Sequence, residues 1–578
     1  MHAPYRSPGA AVALHGTQKR RFGMNEAVSG DDAAIMSQND PRESHTLRLT
    51  ADLSATEAQT LLEELQAAES LFALAFEPHH RSQLPQAVRQ HQDATAAVRQ
   101  LGIPNTVAPA SVFSATPAHG LQDHQGSTWR DRHETGDLHD ADLPYASIDA
   151  LGAAIRRGDV TSVALTERFL ARLETHQPEL LAAATLLPER ARQQAEAADA
   201  ALARGEDLGP LHGMPYLAKD LLAVPEGVTG WGATPYREQR LDATATVVAR
   251  LEAAGAVLLG KASLGALAMD DVWYGGQTKN PWNLAQGSSG SSAGSASAVA
   301  AGLAVFAIGS ETMGSILSPS GRCHVPGLRP TFGRVSRHGA MALSWSLDKL
   351  GPIARSARDT HLVLNAIHGH DPLDDASVDA PLLGTEGIDV TRLRVAAPRD
   401  VLASPGAGMA AFLEHAATLG VTVDTVDLPD LPAAPVMTLL MVEASAAFDE
   451  LVRSPAMDTL VRQSDTSWPN LMRAARFVSA PDYLQLQRLQ RQIRDAMDAL
   501  FETVDVIVTP SGHDAAMLFG NAAGVPALGV PALCEPTGYD DASVALLGRS
   551  FHEHSLVALA EALEAARGPL GRPPGFTS

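Results

Sequence analysis

Apolar residues recur along this chain with two periods, and the change from one to the other marks out its elements. Over 58–74 and 84–101 they return every three to four positions, the spacing of one helix face. Ser54-Ala55-Thr56-Glu57 precedes the first stretch and reads as a capping box. The same period predicts amphipathic helices over 147–158 and 161–176, with Thr161 as N-cap of the second, and further helices over 188–204 and 242–254. Short continuous apolar runs at 256–260, 303–308, 394–397, 504–508, 527–530 and 544–547 predict buried strands. Helices alternating with such strands predict an α/β layered domain over 144–570. Residues 434–500 break the alternation with helical pattern only, and predict an insertion that roofs a pocket. Phe448, Trp468, Met472 and Phe477 are its candidate lining residues, each of which also suits a buried core position. Residues 1–45 are polar and aperiodic and predict a disordered tail. Residues 46–143 predict a helical appendage followed by a linker or wrapping arm over 102–143.

Composition narrows the function classes. A net charge of -22 argues against nucleic acid or an anionic membrane as the main partner, so a small molecule is expected and no nucleic acid. The oligomeric state, including a homo-oligomer, is left open. Two cysteines, Cys323 and Cys534, exclude a disulfide framework. His79-His80 stands alone in a polar stretch and suits the surface better than a metal; no metal or cofactor is expected. No apolar run approaches about 18 residues, so no membrane span is expected. Arg20-Arg21 has the look of a twin-arginine signal, but no apolar segment follows, and a cytoplasmic location is expected.

Lysine usage points to chemistry. The chain has only Lys19, Lys219, Lys261, Lys279 and Lys349, with arginine elsewhere. Arginine serves on a solvated surface but does not lose its proton near neutral pH. A lysine in an apolar stretch of so lysine-poor a chain is therefore a candidate free amine; a salt bridge from Lys219 to Asp220 is the alternative. Two hydroxyl-rich loops follow it. Gly287-Ser288-Ser289-Gly290-Ser291-Ser292-Ala293-Gly294-Ser295 taken alone also fits a flexible linker, or a phosphate loop that lacks its lysine. Ser315 closes a strand, 303–308, and a turn, 309–314, whose successive N–H groups suit a developing oxyanion. An ordinary capped turn fits that segment alone equally well. Lysine with hydroxyls in small-residue loops is the parts list of serine–lysine acyl transfer.

The order and spacing of these segments resemble the amidase signature family. Gly209-Pro210-Leu211-His212-Gly213-Met214-Pro215 with Lys219-Asp220 matches its lysine motif. Asn280-Pro281-Trp282-Asn283 followed by Gly290-Ser291-Ser292-Ala293-Gly294-Ser295 resembles its glycine–serine block. Gly309-Ser310-Glu311-Thr312-Met313-Gly314-Ser315-Ile316, then Pro319 and Gly327-Leu328-Arg329-Pro330-Thr331, resembles its nucleophile block. A weaker match runs through Asp505–Pro510 and Gly524-Val525-Pro526-Ala527, so the likeness covers about 144–565. It implies an α/β/α sandwich with a central mixed sheet. It also implies Ser315 as nucleophile, Ser291 as bridging serine after a cis peptide at Gly290, and Lys219 as base. The N–H groups of Thr312, Met313, Gly314 and Ser315 would form the oxyanion hole, with Ser292 and Glu311 in support. The implied activity is hydrolysis of a carbon–nitrogen amide bond in a small or non-peptide substrate through an acyl-enzyme, with esterase side activity.

Several positions depart from the family pattern. Glu311 stands for a common aspartate, Ser310 for threonine, and Met313, Ala293 and Ser289 for glycines. Leu317 stands where an arginine is common, which disfavours small carboxylate-bearing substrates; Met313, Leu317 and Trp468 are the candidate pocket residues. Two other readings stay open. One is the A component of a tRNA-dependent amidotransferase, against which the appendage and the departures around Ser315 argue. The other is a non-catalytic binding protein on the same scaffold.

Overall fold

The continuous apolar runs come together in one sheet. The computed structural model describes residues 53–72, 74–101, 138–536 and 542–577. The described residues all belong to one compact unit. The tail expected over 1–45, Lys19, Arg20-Arg21 and most of the linker expected over 102–143 lie outside the described residues.

Eleven strands form the sheet. Their spatial order is Ala183–Leu186, Val257–Ala262, Pro215–Lys219, Phe306–Glu311, Lys349–Ala354, Gly327–Arg329, Ala527–Pro531, Ser543–Gly548, Val506–Pro510, Val395–Pro398 and Val423–Val426. Val257–Ala262, Pro215–Lys219 and Phe306–Glu311 run parallel, as do the last three strands of this order, while the first pair and those in the middle are antiparallel, so the sheet is mixed. Val257–Ala262, Phe306–Glu311 and Lys349–Ala354 are buried at every residue. Successive strand side chains alternate between faces, so helices must cover both, and the domain has the three layers that were expected.

Two differences from the predicted strands bear on function. The first concerns strands that were not predicted, Pro215–Lys219 and Lys349–Ala354 among them. Both carry lysine and proline, which lower strand propensity, and tertiary pairing overrides that preference. The second is a correction: Gly309, Ser310 and Glu311, predicted as a turn, end a strand. That strand pairs antiparallel with Lys349–Ala354 over its full length, from Phe306 opposite Ala354 to Glu311 opposite Lys349. It also runs parallel to Pro215–Lys219, with Ala218 opposite Ile308. Lys219 and Glu311 therefore lie at the carboxyl ends of neighbouring parallel strands, where open α/β sheets place their ligands.

The capping box at Ser54 forms with Glu57, and the helix behind it spans Ala55–Glu69, ending before Leu74 because the chain turns at Ser70. This helix and Pro85–Gln100 pack on the 434–500 segment through Leu61, Leu65, Leu84, Ala87 and Val88 against Ala474. Phe477 meets Phe72 edge to face at 5.8 Å. Met472 is fully buried. No helix among the described residues is long and apolar enough to cross a membrane.

Candidate active site

Lys219 ends its strand with the side chain fully buried. Its Nζ lies 2.9 Å from Ser291 Oγ, 3.0 Å from Ser292 Oγ and 2.9 Å from Ser310 Oγ, with Ser310 O at 3.4 Å. No carboxylate among the described residues bonds to it. Burial drives the Lys219 amine well below the ordinary lysine value, and the charges of Asp348 and Glu311 oppose that only in part. The salt bridge to Asp220 does not form, because Asp220 accepts from Lys261 on the next strand at 3.1 Å.

The hydroxyls around Lys219 are not equivalent. Ser292 Oγ donates to Ser310 O at 3.1 Å and accepts from Ser310 N at 3.1 Å, so its proton is committed to the scaffold. Ser291 Oγ has Lys219 as its one partner among the described residues, and its proton is free to be shared. Proton counting then orders the cluster. A neutral amine has two protons and one lone pair. Ser292 can only accept from it, which leaves the second proton and the lone pair to Ser291 and Ser310, whose hydroxyls each have Lys219 as their one partner among the described residues.

The glycine–serine run is pinned rather than flexible. The Gly290–Ser291 peptide is cis. A Cβ on Gly290 would stand 1.7 Å from the Asp270 carbonyl oxygen, so only glycine lets the two backbones meet. Asp271 accepts from Ser289 N at 3.0 Å, and Ser289 and Ser318 share a hydrogen bond at 2.7 Å.

Ser315 is half-buried, and its carbonyl accepts from Ser292 N at 3.1 Å, which joins the two loops. Its hydroxyl has no hydrogen-bond partner among the described residues, and the N–H groups of Thr312, Met313, Gly314 and Ser315 donate to none there either. Their geometry is fixed from behind. The Glu311 carboxylate accepts from Ile316 N at 2.8 Å and Leu317 N at 2.9 Å. It also takes Arg329 at 2.8 Å and Asn521 at 3.0 Å. Burial works to raise the Glu311 carboxyl, but Arg329 and the Leu317 N–H outweigh it and hold it below the usual range. Thr312 Oγ1 donates to Asp348 at 2.5 Å, and Asp348 accepts in turn from Leu343 N and Ser344 N. Gly314 has φ +88°, which favours glycine, and a Cβ there would lie 2.6 Å from Met517 Sδ.

The expected pocket residues are placed differently. Met313 is half-buried beside Ser315. Leu317 is 3% exposed, and its methyl packs against Gly529, so it sits in the core. Trp468 is buried and donates its indole N–H to Leu267 O at 2.8 Å. Phe448 meets Trp231 edge to face. The 434–500 segment lines none of the cavity beside the site; it braces the loops that do. Ser344 Oγ and Ser346 N, for example, both donate to Glu443 within it.

Sequence reasoning missed four contributors. Ser310 stood out only as a departure from the family pattern, although strand alternation from Gly309 would have signalled its role. Asp348 and Met517 carry no local signal. Lys349 had the lysine-scarcity signal; burial takes its amine down to about 7. No cluster of three or more His, Cys, Asp or Glu suited to a metal occurs among the described residues.

The sheet thus holds a buried lysine at one strand end, ringed by hydroxyls. The amidase family model matches residues 164–533, and this chain belongs to that family. The chain is 36% identical over 466 residues to the A component of the glutamyl-tRNA(Gln) amidotransferase of Roseiflexus, covering 71% of this chain and 94% of the relative. The corresponding component from Moorella thermoacetica is 34% identical, with 73% and 97% covered. Peptide amidase from Stenotrophomonas maltophilia is 30% identical and superposes with a TM-score of 0.65, covering 75% of this chain and all of that one. One expectation is overturned here. Net acidity argued that no nucleic acid is involved, yet these curated relatives are components of an amidotransferase that carries a tRNA in its name. Net charge averages over the whole surface and does not report on a local patch.

Proposed function

We propose that this protein cleaves carbon–nitrogen amide bonds through an acyl-enzyme on Ser315. Ser315 Oγ attacks the amide carbonyl carbon, its proton passes to Ser291 Oγ, and the Ser291 proton passes to Lys219 Nζ. The carbonyl electron pair moves to oxygen, where the N–H groups of residues 312–315 receive it. As the C–N bond breaks, the proton returns through Ser291 to the leaving nitrogen. Water then repeats the relay, releasing the acid and restoring Ser315. The observation that carries this reading is the fully buried Lys219, bonded to three hydroxyls and a carbonyl with no carboxylate among them, 2.9 Å from a serine with an uncommitted proton.

Intact mass after exposure to a fluorophosphonate tests it. One adduct is expected on the wild type, none on Ser315→Ala, and a much slower one on Lys219→Ala. An unmodified wild type that is folded overturns the assignment.

The setting of this chemistry has a second reading, favoured by the curated relatives over a free-standing amidase. There the chain serves as the A component of an amidotransferase, and ammonia released at Ser315 passes to a charged tRNA. Expression in the native host followed by affinity purification separates the two. A stoichiometric partner protein, with amide cleavage that needs tRNA, supports the amidotransferase. Full activity of the purified chain alone supports the amidase.

A further inference from the structure

A cavity of about 220 Å³ opens beside the site. It reaches Ser310, whose hydroxyl meets Lys219, and Thr312, three residues before Ser315. Its walls are Leu221, Met341, Leu343 and Leu350, all buried. Its mouth carries Trp345, 51% exposed, and Leu373, 65% exposed. Two large apolar side chains flanking one opening offer it an apolar rim.

The guanidinium and the carboxylates that line the cavity are all engaged within the protein. Arg337 pairs with Asp374 at 3.4 Å, donates to Trp345 O at 2.7 Å and stacks on Phe332. Asp348 spends its oxygens on Thr312, Leu343 and Ser344. His338 meets Thr246. A substrate carboxylate or ammonium entering here would be desolvated without a partner, which is costly. An apolar cavity near 150 Å³ suffices for a benzene ring.

Building on the amide-cleaving reading, we infer that this cavity receives a neutral aryl or branched aliphatic substituent of the substrate, and that Trp345 and Leu373 are its specificity-determining residues. The amide carbonyl would then lie at the Thr312–Ser315 loop, with the substituent running back past Ser310 towards Trp345. A neutral arylalkyl amide fits this better than glutamine, whose α-ammonium and α-carboxylate would find no charge to meet.

Calorimetric binding to full-length Ser315→Ala tests the inference without relying on turnover. The probes are phenylacetamide, acetamide, 4-carboxyphenylacetamide and glutamine. Phenylacetamide is expected to bind about tenfold more tightly than each of the others, the scale of a few buried apolar contacts. Adding Trp345→Ala should erase most of that margin, and Leu373→Ser about a third of it. Both side chains are exposed, so the fold should persist, and unchanged melting verifies this. Equal binding of all four probes, tighter binding of glutamine, or a margin that survives both substitutions overturns the inference. Failure of the nucleophile assignment is read separately, by the absence of a fluorophosphonate adduct on the wild type.

Discussion

Lys219 and Lys261 stand on adjacent parallel strands, one residue out of register, and both are fully buried. Their partners separate them. Lys261 meets the Asp220 carboxylate at 3.1 Å and Thr229 Oγ1 at 3.0 Å. Lys219 meets hydroxyls and one carbonyl. Burial lowers both amines, but Asp220 opposes that at Lys261, whereas the carboxylates acting on Lys219 do so without touching it. A carboxylate in contact favours the charged amine, and a ring of hydroxyls serves either form. The same residue on the same layer of the sheet is thereby fitted for structure in one strand and for proton transfer in the next.

Exchanging the two lysines for methionine should break this comparison most visibly, because the losses should fall on different measurements. Lys219→Met should lower kcat/KM on the order of 10⁴-fold, the upper range for a general base, with little change in melting. Lys261→Met leaves Asp220 buried without its cation and should cost about 3–5 kcal/mol of stability in urea titration. The double change Lys261→Met with Asp220→Leu should recover much of that loss, since no unpaired charge remains. If Lys219→Met instead unfolds the protein and keeps its specific activity, the roles are reversed.

The pH profile sharpens the same contrast. A protonated Lys219 accepts no proton, so kcat/KM should rise as pH increases through its pKa and then level off. Because burial lowers that pKa, the rise should fall well below the range of an ordinary lysine. Asp348 favours the charged amine, so Asp348→Asn should move the rise to still lower pH. Lys349 is also buried and titrates at about 7. The limb that persists in Lys349→Met is the one owed to Lys219.

How much of this was legible follows the physics of each signal. The lysine and the serine loops stood out because rare residues in small-residue context leave a local pattern. The strands rich in Val, Leu and Ile read correctly because burial on both faces makes continuous apolar runs. Lys349–Ala354 did not, since Gly351 and Pro352 break the pattern and pairing with Phe306–Glu311 and Gly327–Arg329 makes it a strand. The roles assigned to Leu317 and Trp468 failed for another reason. Sequence gives proximity along the chain, and the side-chain direction depends on what packs behind it. Leu317 turns towards Gly529, and the indole of Trp468 is taken by a carbonyl. Asp348 and Met517 lie 33 and 202 positions from Ser315, too far for any local pattern to join them to it.

The smallest expected effect concerns Ser310, and it separates a hydroxyl that merely fills space from one that orients the base. If the neutral amine of Lys219 gives one proton to Ser292 and one to Ser310 Oγ, its lone pair is turned to Ser291. Ser310→Ala removes one acceptor. The amine can then rotate and give that proton to Ser291, which leaves the lone pair misdirected for part of the time. A loss of about tenfold in kcat is expected, with KM nearly unchanged, in line with an interaction made by the base and not by the substrate. Ser310→Thr keeps the hydroxyl and should restore most of the rate. A purely structural role predicts the opposite ranking, because the added methyl must fit a position only 8% exposed while alanine fits freely. The order of alanine and threonine in kcat therefore decides whether Ser310 belongs with the proton relay or with the wall of the cavity.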